Sequence, residues 1–158
     1  MNGTGTDRRV QSQQSQDEAQ IRQLIAAREA AMRAKDAGQL VSGYAAEVVK
    51  FDLAPPLQRT GAEARDANRL QGWFSGFDGP IVYEIRDLAV TAGEDVAFCH
   101  SLNRLSATPR GATQSFDLWF RATICLRKVD GTWQITHEHN STPFYMDGSM
   151  RAALDLKP

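Results

Sequence analysis

The chain has 158 residues, of which 42% are hydrophobic, 8% aromatic and 23% charged, with 18 Lys+Arg against 19 Asp+Glu and a formal net charge of -1. That length and composition fit one globular domain and exclude the collagenous, disordered and disulfide-rich classes. Balanced charge offers no general attraction to nucleic acid or to an anionic membrane. No apolar run approaches the ~18 residues of a membrane span, and the opening MNGTGTDRRVQSQQSQ lacks a signal peptide's apolar stretch, so a cytoplasmic protein is expected.

Residues 1–16, rich in Gly, Thr, Gln, Ser and Arg, read as a disordered tail. From Asp17 onward, Ile21, Leu24, Ile25, Arg28 and Met32 recur at i, i+3, i+4, i+7 and i+11, which is one helix face. Gly38 is expected to stop that helix, and Asp36 to cap a short successor through Leu40 to Tyr44. A short strand, Val48 to Leu53, ends at Pro55-Pro56. A further helix is predicted from Gly61 to about Phe77, with Leu70, Trp73, Phe74 and Phe77 as its stripe. Beyond Gly79-Pro80 the pattern turns to alternation. Strands are predicted over Ile81–Thr91, Val96–Ala107, Ser115–Val129 and Thr132–Ser141, separated by AGED, TPRGA and DG turns. Cys99 and Cys125 fall inside apolar strand-like runs and read as reduced, buried thiols. Helices followed by strands at hairpin spacing predict an α+β fold, a curved antiparallel sheet with three N-terminal helices on its concave face, enclosing a pocket.

The stretches YAAEVVKFDLAPP, the WF after the third helix, and RATICLRKVDGTWQITHEHNSTPF resemble the nuclear transport factor 2-like, cone-shaped superfamily, in its SnoaL-like, ketosteroid-isomerase-homologue branch. The resemblance implies a cone-fold domain over residues 17–145, with 146–158 as a C-terminal extension. It also implies a homodimer formed through the outer sheet face and a small molecule held in the cone. Reaction types in the family diverge, so the resemblance implies a fold more than a reaction. Laying YAAEVVKFD on the ketosteroid isomerase stretch matches Asp52 to the general-base aspartate. On the same match the oxyanion-hole tyrosine falls on Arg28 and the protonated aspartic acid on Thr123. Standard ketosteroid isomerisation is therefore not expected.

His137 and His139 share one face of a strand with Trp133 and Ile135, a face expected to point into the cone, with Glu138 turned the other way. The pair reads as hydrogen-bonded pocket histidines, as an acid–base group, or, with His100, as a metal site. Asp117, Trp119, Arg121, Thr123 and Cys125 alternate along the preceding strand, and the turn at Asp130-Gly131 decides their face. A type I turn with a left-handed glycine puts Arg121 opposite His139 and Thr123 opposite His137, both inward, and this register is preferred. A two-residue turn puts Phe120, Ala122 and Ile124 inside instead. Arg28 suits an anion. Tyr44, Trp73, Phe74, Tyr83, Trp119 and Phe144 are candidate pocket lining.

The expected protein binds a compact, partly apolar molecule bearing a carbonyl or carboxylate. As an enzyme it would use cofactor-independent acid–base chemistry, with no metal. Asp52 would act as base, His137 or His139 as acid or orienter, and Arg28 or Arg121 would hold an anion. The remaining candidate substrate-binding residues are Tyr44, Trp73, Trp119, Thr123 and Phe144. The alternatives are a binding or dimerisation module without turnover, and a metal site on His100, His137 and His139.

Overall fold

A computed structural model describes residues 4–158. Helices α1 (Thr4–Ala34) and α2 (Ala37–Ser42) precede strands β1 (Tyr44–Phe51) and β2 (Arg59–Thr60). Helices α3 (Gly61–Ala64) and α4 (Ala67–Phe74) come next, followed by β3 (Phe77–Ala92), β4 (Val96–Pro109), β5 (Phe116–Val129) and β6 (Thr132–Ser141). The fold is α+β, with a six-stranded sheet in the order β2-β1-β6-β5-β4-β3. No helix among the described residues is long and apolar enough to cross a membrane.

Three differences from the expected elements have local causes. Residues 4–16 are helical rather than a tail, although their side chains from Thr6 to Gln16 are exposed. Extending an existing helix adds one hydrogen bond per residue without a new nucleation step, and Gln and Arg are good helix formers. Residues 1–3 of that expected tail lie outside the described residues. The helix expected over 61–77 is split, giving four helices among the described residues rather than three. Asp66 turns its carboxylate onto Arg69 N at 3.0 Å, which caps α4 and separates it from α3, while Phe77 opens β3. The sheet is mixed rather than wholly antiparallel, because β1 runs parallel to β6.

Strand β3 is bent by register shifts at Asp78–Val82 and Arg86–Ala89, where Gly79 and Asp87 take positive φ values of 68° and 56°. It is also the free edge of the sheet, and α1 covers that edge with side chains. Gln14 Nε2 donates to Ala92 O at 3.1 Å, Arg22 Nη1 to Leu88 O at 3.2 Å and Arg33 Nε to Tyr83 O at 2.8 Å, while Glu29 accepts from Ile85 N at 3.2 Å. Backbone groups that would otherwise template a foreign strand are thereby occupied.

The β5–β6 hairpin sets the faces of the sheet. Val129 pairs with Thr132 across a two-residue turn in which Asp130 and Gly131 both have positive φ, 51° and 78°. Phe120, Ala122 and Ile124 are therefore buried on the concave side, and the register preferred from the sequence is overturned. Farther along, Leu126 pairs with Ile135 but Cys125 pairs with His137. Thr136 is the extra residue of a bulge, its hydroxyl donating to Cys125 O at 3.3 Å. Parity flips there, so Trp133 and Ile135 face the core while the next inward residues are Glu138 and Asn140.

Two apolar clusters flank the concave face, one around Ile21, Val48, Leu126 and Ile135 and one around Leu40, Phe74, Ile81 and Phe120. The first is closed by Asp17, 1% exposed, which accepts from Lys128 Nζ at 2.6 Å and Trp133 Nε1 at 3.1 Å. Burial pushes the Asp17 carboxyl up, but the Lys128, Trp133 and Gln13 hydrogen bonds outweigh it and hold the pKa below the ordinary aspartate value. Asp17→Ala is expected to destabilise the fold by about 3 kcal/mol at neutral pH, since it leaves the buried Trp133 N–H without an acceptor and Lys128 without its partner. Urea unfolding at pH 7 measures it.

Candidate functional site

Between the concave face and the helices lies a cavity of about 420 Å³, within the size range of small-molecule sites. Its walls are largely apolar, including Ile25, Leu40, Ile85, Leu118 and Phe120. Polar groups converge on one side. Arg28 arrives there because it continues the Ile21–Ile25 stripe of α1, Tyr44 because it opens β1, and Glu138 and Asn140 because of the Thr136 bulge. Arg28 Nη2 lies 2.8 Å from Glu138 Oε2 and 2.9 Å from Tyr44 Oη, while Nη1 donates to Leu40 O at 2.8 Å. The Tyr44 hydroxyl donates to the same Glu138 oxygen, and Asn140 Nδ2 reaches Oε1 at 3.2 Å. Burial alone would push the Glu138 carboxyl up. Lys50 and Arg28, aided by the Tyr44 and Asn140 hydrogen bonds, overcome this and hold it at about 2. Glu138 is thus a permanently charged anchor and a poor proton acceptor.

Lys50 is the register partner of Glu138, and Asp52, two residues on, shares its face. Lys50 Nζ lies 3.4 Å from Asp52 Oδ2, and Leu53 N donates to Oδ1 at 3.1 Å. The Asp52 side chain, 30% exposed, sits at the cavity rim with Trp73 of α4. On the opposite wall, Ser101 Oγ donates to Asn103 Oδ1 at 2.7 Å and Asn103 Nδ2 donates to Tyr83 Oη at 2.9 Å. The Tyr83 hydroxyl accepts in this chain, and its own proton meets no acceptor among the described residues. Burial pushes the Tyr83 phenol up, so it stays protonated.

Residues 21–145 match the SnoaL-like domain. The chain belongs to the SnoaL-like family. A similar solved structure is an NTF2-like protein of unknown function from Pseudomonas putida KT2440, 35% identical, covering 91% of this chain and 98% of that one with a TM-score of 0.79. A candidate scytalone dehydratase from Novosphingobium aromaticivorans (17% identity, 87% and 91% coverage, TM-score 0.71) shares the fold. So does a ketosteroid isomerase-like protein from Erwinia carotovora atroseptica (21%, 79% and 95%, TM-score 0.65). No curated protein matches the chain.

In this SnoaL-like domain the cavity gathers Arg28, Tyr44, Asp52, Trp73 and Tyr83 from the sequence candidates. The other candidates lie elsewhere. Beyond the Thr136 bulge, His137 and His139 face outward, where they pack edge-on against Phe51 at 4.8 and 5.4 Å. His137 Nδ1–H donates to Val49 O at 2.8 Å. Trp119, Arg121 and Thr123 share that outer face because the turn is the two-residue one. Trp119 lies under the Arg86 guanidinium at 4.8 Å, and Asp117, two residues further back on the same strand, pairs with Arg104 at 2.7 Å. Phe144 is 56% exposed, bridging Ala152 where the C-terminal segment folds back. His100 pairs with Thr123, which pairs with His139, placing the two histidines two strands apart, roughly 10 Å. Among the described residues no group of three His, Cys, Asp or Glu is arranged to hold a metal ion.

Glu138, expected to face solvent or a neighbour, is instead 8% exposed on the concave side. Lys50, Arg59, Ser101, Asn103 and Asn140 also line the cavity and were not among the sequence candidates. Lys50 was within reach of sequence reasoning, since any strand that turns Asp52 inward turns Lys50 inward too.

Proposed function

We propose that this SnoaL-like domain binds a compact, partly apolar ketone in the cavity and moves a proton on it by cofactor-independent acid–base chemistry of the isomerase or dehydratase type. The observation that carries this is the Asp52 carboxylate at the rim of an apolar cavity whose opposite wall presents the unspent Tyr83 hydroxyl proton. Asp52 takes a proton from the carbon beside the carbonyl, and the C–H electron pair moves onto the carbonyl oxygen, which accepts the Tyr83 hydrogen bond. Returning that proton from Asp52 to another carbon completes an isomerisation, and handing it to a departing β-hydroxyl, which leaves as water while the enolate collapses, completes a dehydration. The names of the dehydratase and isomerase-like structures support the reaction class, and their low identity supports only the fold.

Glu138 favours a second reading. The most buried carboxylate of the cavity is fully engaged and does not titrate near neutral pH, which suits binding without turnover. One experiment separates the two: compact aryl ketones are incubated with the protein in D2O, and deuterium beside the carbonyl is read by NMR. Catalysed exchange supports the enzyme, whereas bound ketone without exchange supports the binding module.

The outer sheet face, with Phe98 48% and Val82 45% exposed, is proposed to pair with a second copy. Light scattering is expected to give twice 17.5 kDa, reduced to the single mass by Phe98→Asp; a monomeric parent would contradict this. The free thiols of Cys99 and Cys125 lie on opposite faces of the sheet, which fits a reducing, cytoplasmic compartment.

A further inference from the structure

Strands β1 and β2 set Lys50 and Arg59 directly opposite each other, and both line the cavity with side chains only 13% exposed. Like charges placed opposite across a strand pair repel, so this pairing needs a compensating anion. Two of the cavity's own carboxylates already face Lys50, and among the described residues none of the three is paired with Arg59. Glu138 serves Arg28 and lies beside Lys50, Asp52 lies against Lys50, and Asp66 caps α4. The lining carries four cations, Arg28, Lys50, Arg59 and Arg69, against those three carboxylates, in a chain whose overall charge is -1.

Arg59 itself is incompletely satisfied. Its Nη2 donates to Pro55 O at 2.7 Å. Its Nε is buried and has no hydrogen-bond acceptor among the described residues; Glu63 Oε1 stands 3.5 Å away on a side chain that is 59% exposed. A buried guanidinium N–H without an acceptor is destabilising unless something arrives to accept it. The planar donor fork of arginine suits a carboxylate.

We propose that Arg59, with Lys50 beside it, forms a carboxylate-binding subsite at the β1–β2 end of the cavity, so that the ligand is a keto acid rather than a neutral ketone. This rests on the cavity being a ligand site and adds the ligand's charge and the residue that reads it. An anionic ligand bound there has its carboxylate on the Arg59 guanidinium, and its apolar body extends along the cavity.

The test compares 4-oxo-4-phenylbutanoate with its methyl ester, two probes that differ mainly in the charged group, by titration calorimetry. The parent protein is expected to bind the acid at least tenfold more tightly than the ester, and Arg59→Gln to remove that preference, a change of about 10- to 100-fold in the ratio. Glu63→Gln, a surface change that removes the competing carboxylate, is expected to strengthen acid binding about two- to fivefold without moving the ester. Equal binding of acid and ester by the parent overturns the subsite and leaves the cavity reading standing. So does an acid preference that survives in Arg59→Gln. Binding of neither probe removes both.

Discussion

Asp52→Asn is expected to slow proton exchange beside the carbonyl of a bound aryl ketone by about 10²–10⁴-fold while leaving the ketone's affinity unchanged. Asparagine keeps the shape of the side chain and an oxygen to accept from Leu53 N, so the rim geometry survives. What it loses is the ability to take a proton. Glu138 does not substitute for it, because a carboxylate held at about 2 and hydrogen-bonded by Tyr44 and Asn140 is too weak a base. Deuterium uptake measured by NMR on both proteins decides the matter, and an unchanged rate in the variant removes Asp52 from the chemistry.

Arg28→Ala is expected to destabilise the fold by about 3–5 kcal/mol, because it leaves the buried Glu138 carboxylate short of its closest cation. Lys50 remains nearby, but it is already shared with Asp52. Arg28→Met combined with Glu138→Gln is expected to recover the larger part, since the charge that needed a partner is then gone. Urea unfolding of the parent, the single variant and the double variant measures the difference. A double variant as unstable as the single one would locate the effect in lost packing rather than in the ion pair.

The same group sets an acid dependence. The folded Glu138 pKa of about 2 lies below its ordinary value of 4.5. Between these values the unfolded chain binds more protons than the folded one, so stability rises with pH across that window. The contribution, on the order of 3 kcal/mol, is complete above pH 4.5 and is lost as the pH falls towards 2.

Much of the fold was legible because it follows from local patterns. The Ile21–Ile25–Arg28 stripe places Arg28 in the cavity, Asp36 caps α2 with a 2.9 Å bond from Gln39 N, and the four long strands lie between the turns the sequence marks. Asp52 was legible as a carboxylate at the end of a short strand. The inward face of β6 was not. The extra residue at Thr136 shifts it and reverses parity for everything beyond, while the left-handed pair at Asp130-Gly131 decides which residues of β5 face inward. Asp130-Gly131 announces itself as a turn. Nothing in ITHEHN marks Thr136 as a bulge, because the bulge is imposed by how β6 meets β1 and β5. An unbroken alternation therefore turns His137 and His139 inward and Glu138 outward, the reverse of the structure. The helix over 4–16 escaped for a different reason: its stability comes from the packed turns that follow it, which a composition reading of the segment does not weigh.

The proposed ligand chemistry belongs to the concave face, around Asp52, and not to the histidine face. Its most direct test is an NMR titration with methyl 4-oxo-4-phenylbutanoate, following the side-chain amide signals of Asn103 and Asn140 together with the imidazole C–H signals of His100, His137 and His139. The two asparagines are expected to shift in a saturable way while the histidines stay still. Saturable shifts of the His137 and His139 signals with the asparagines unmoved would place the ligand on the outer face instead.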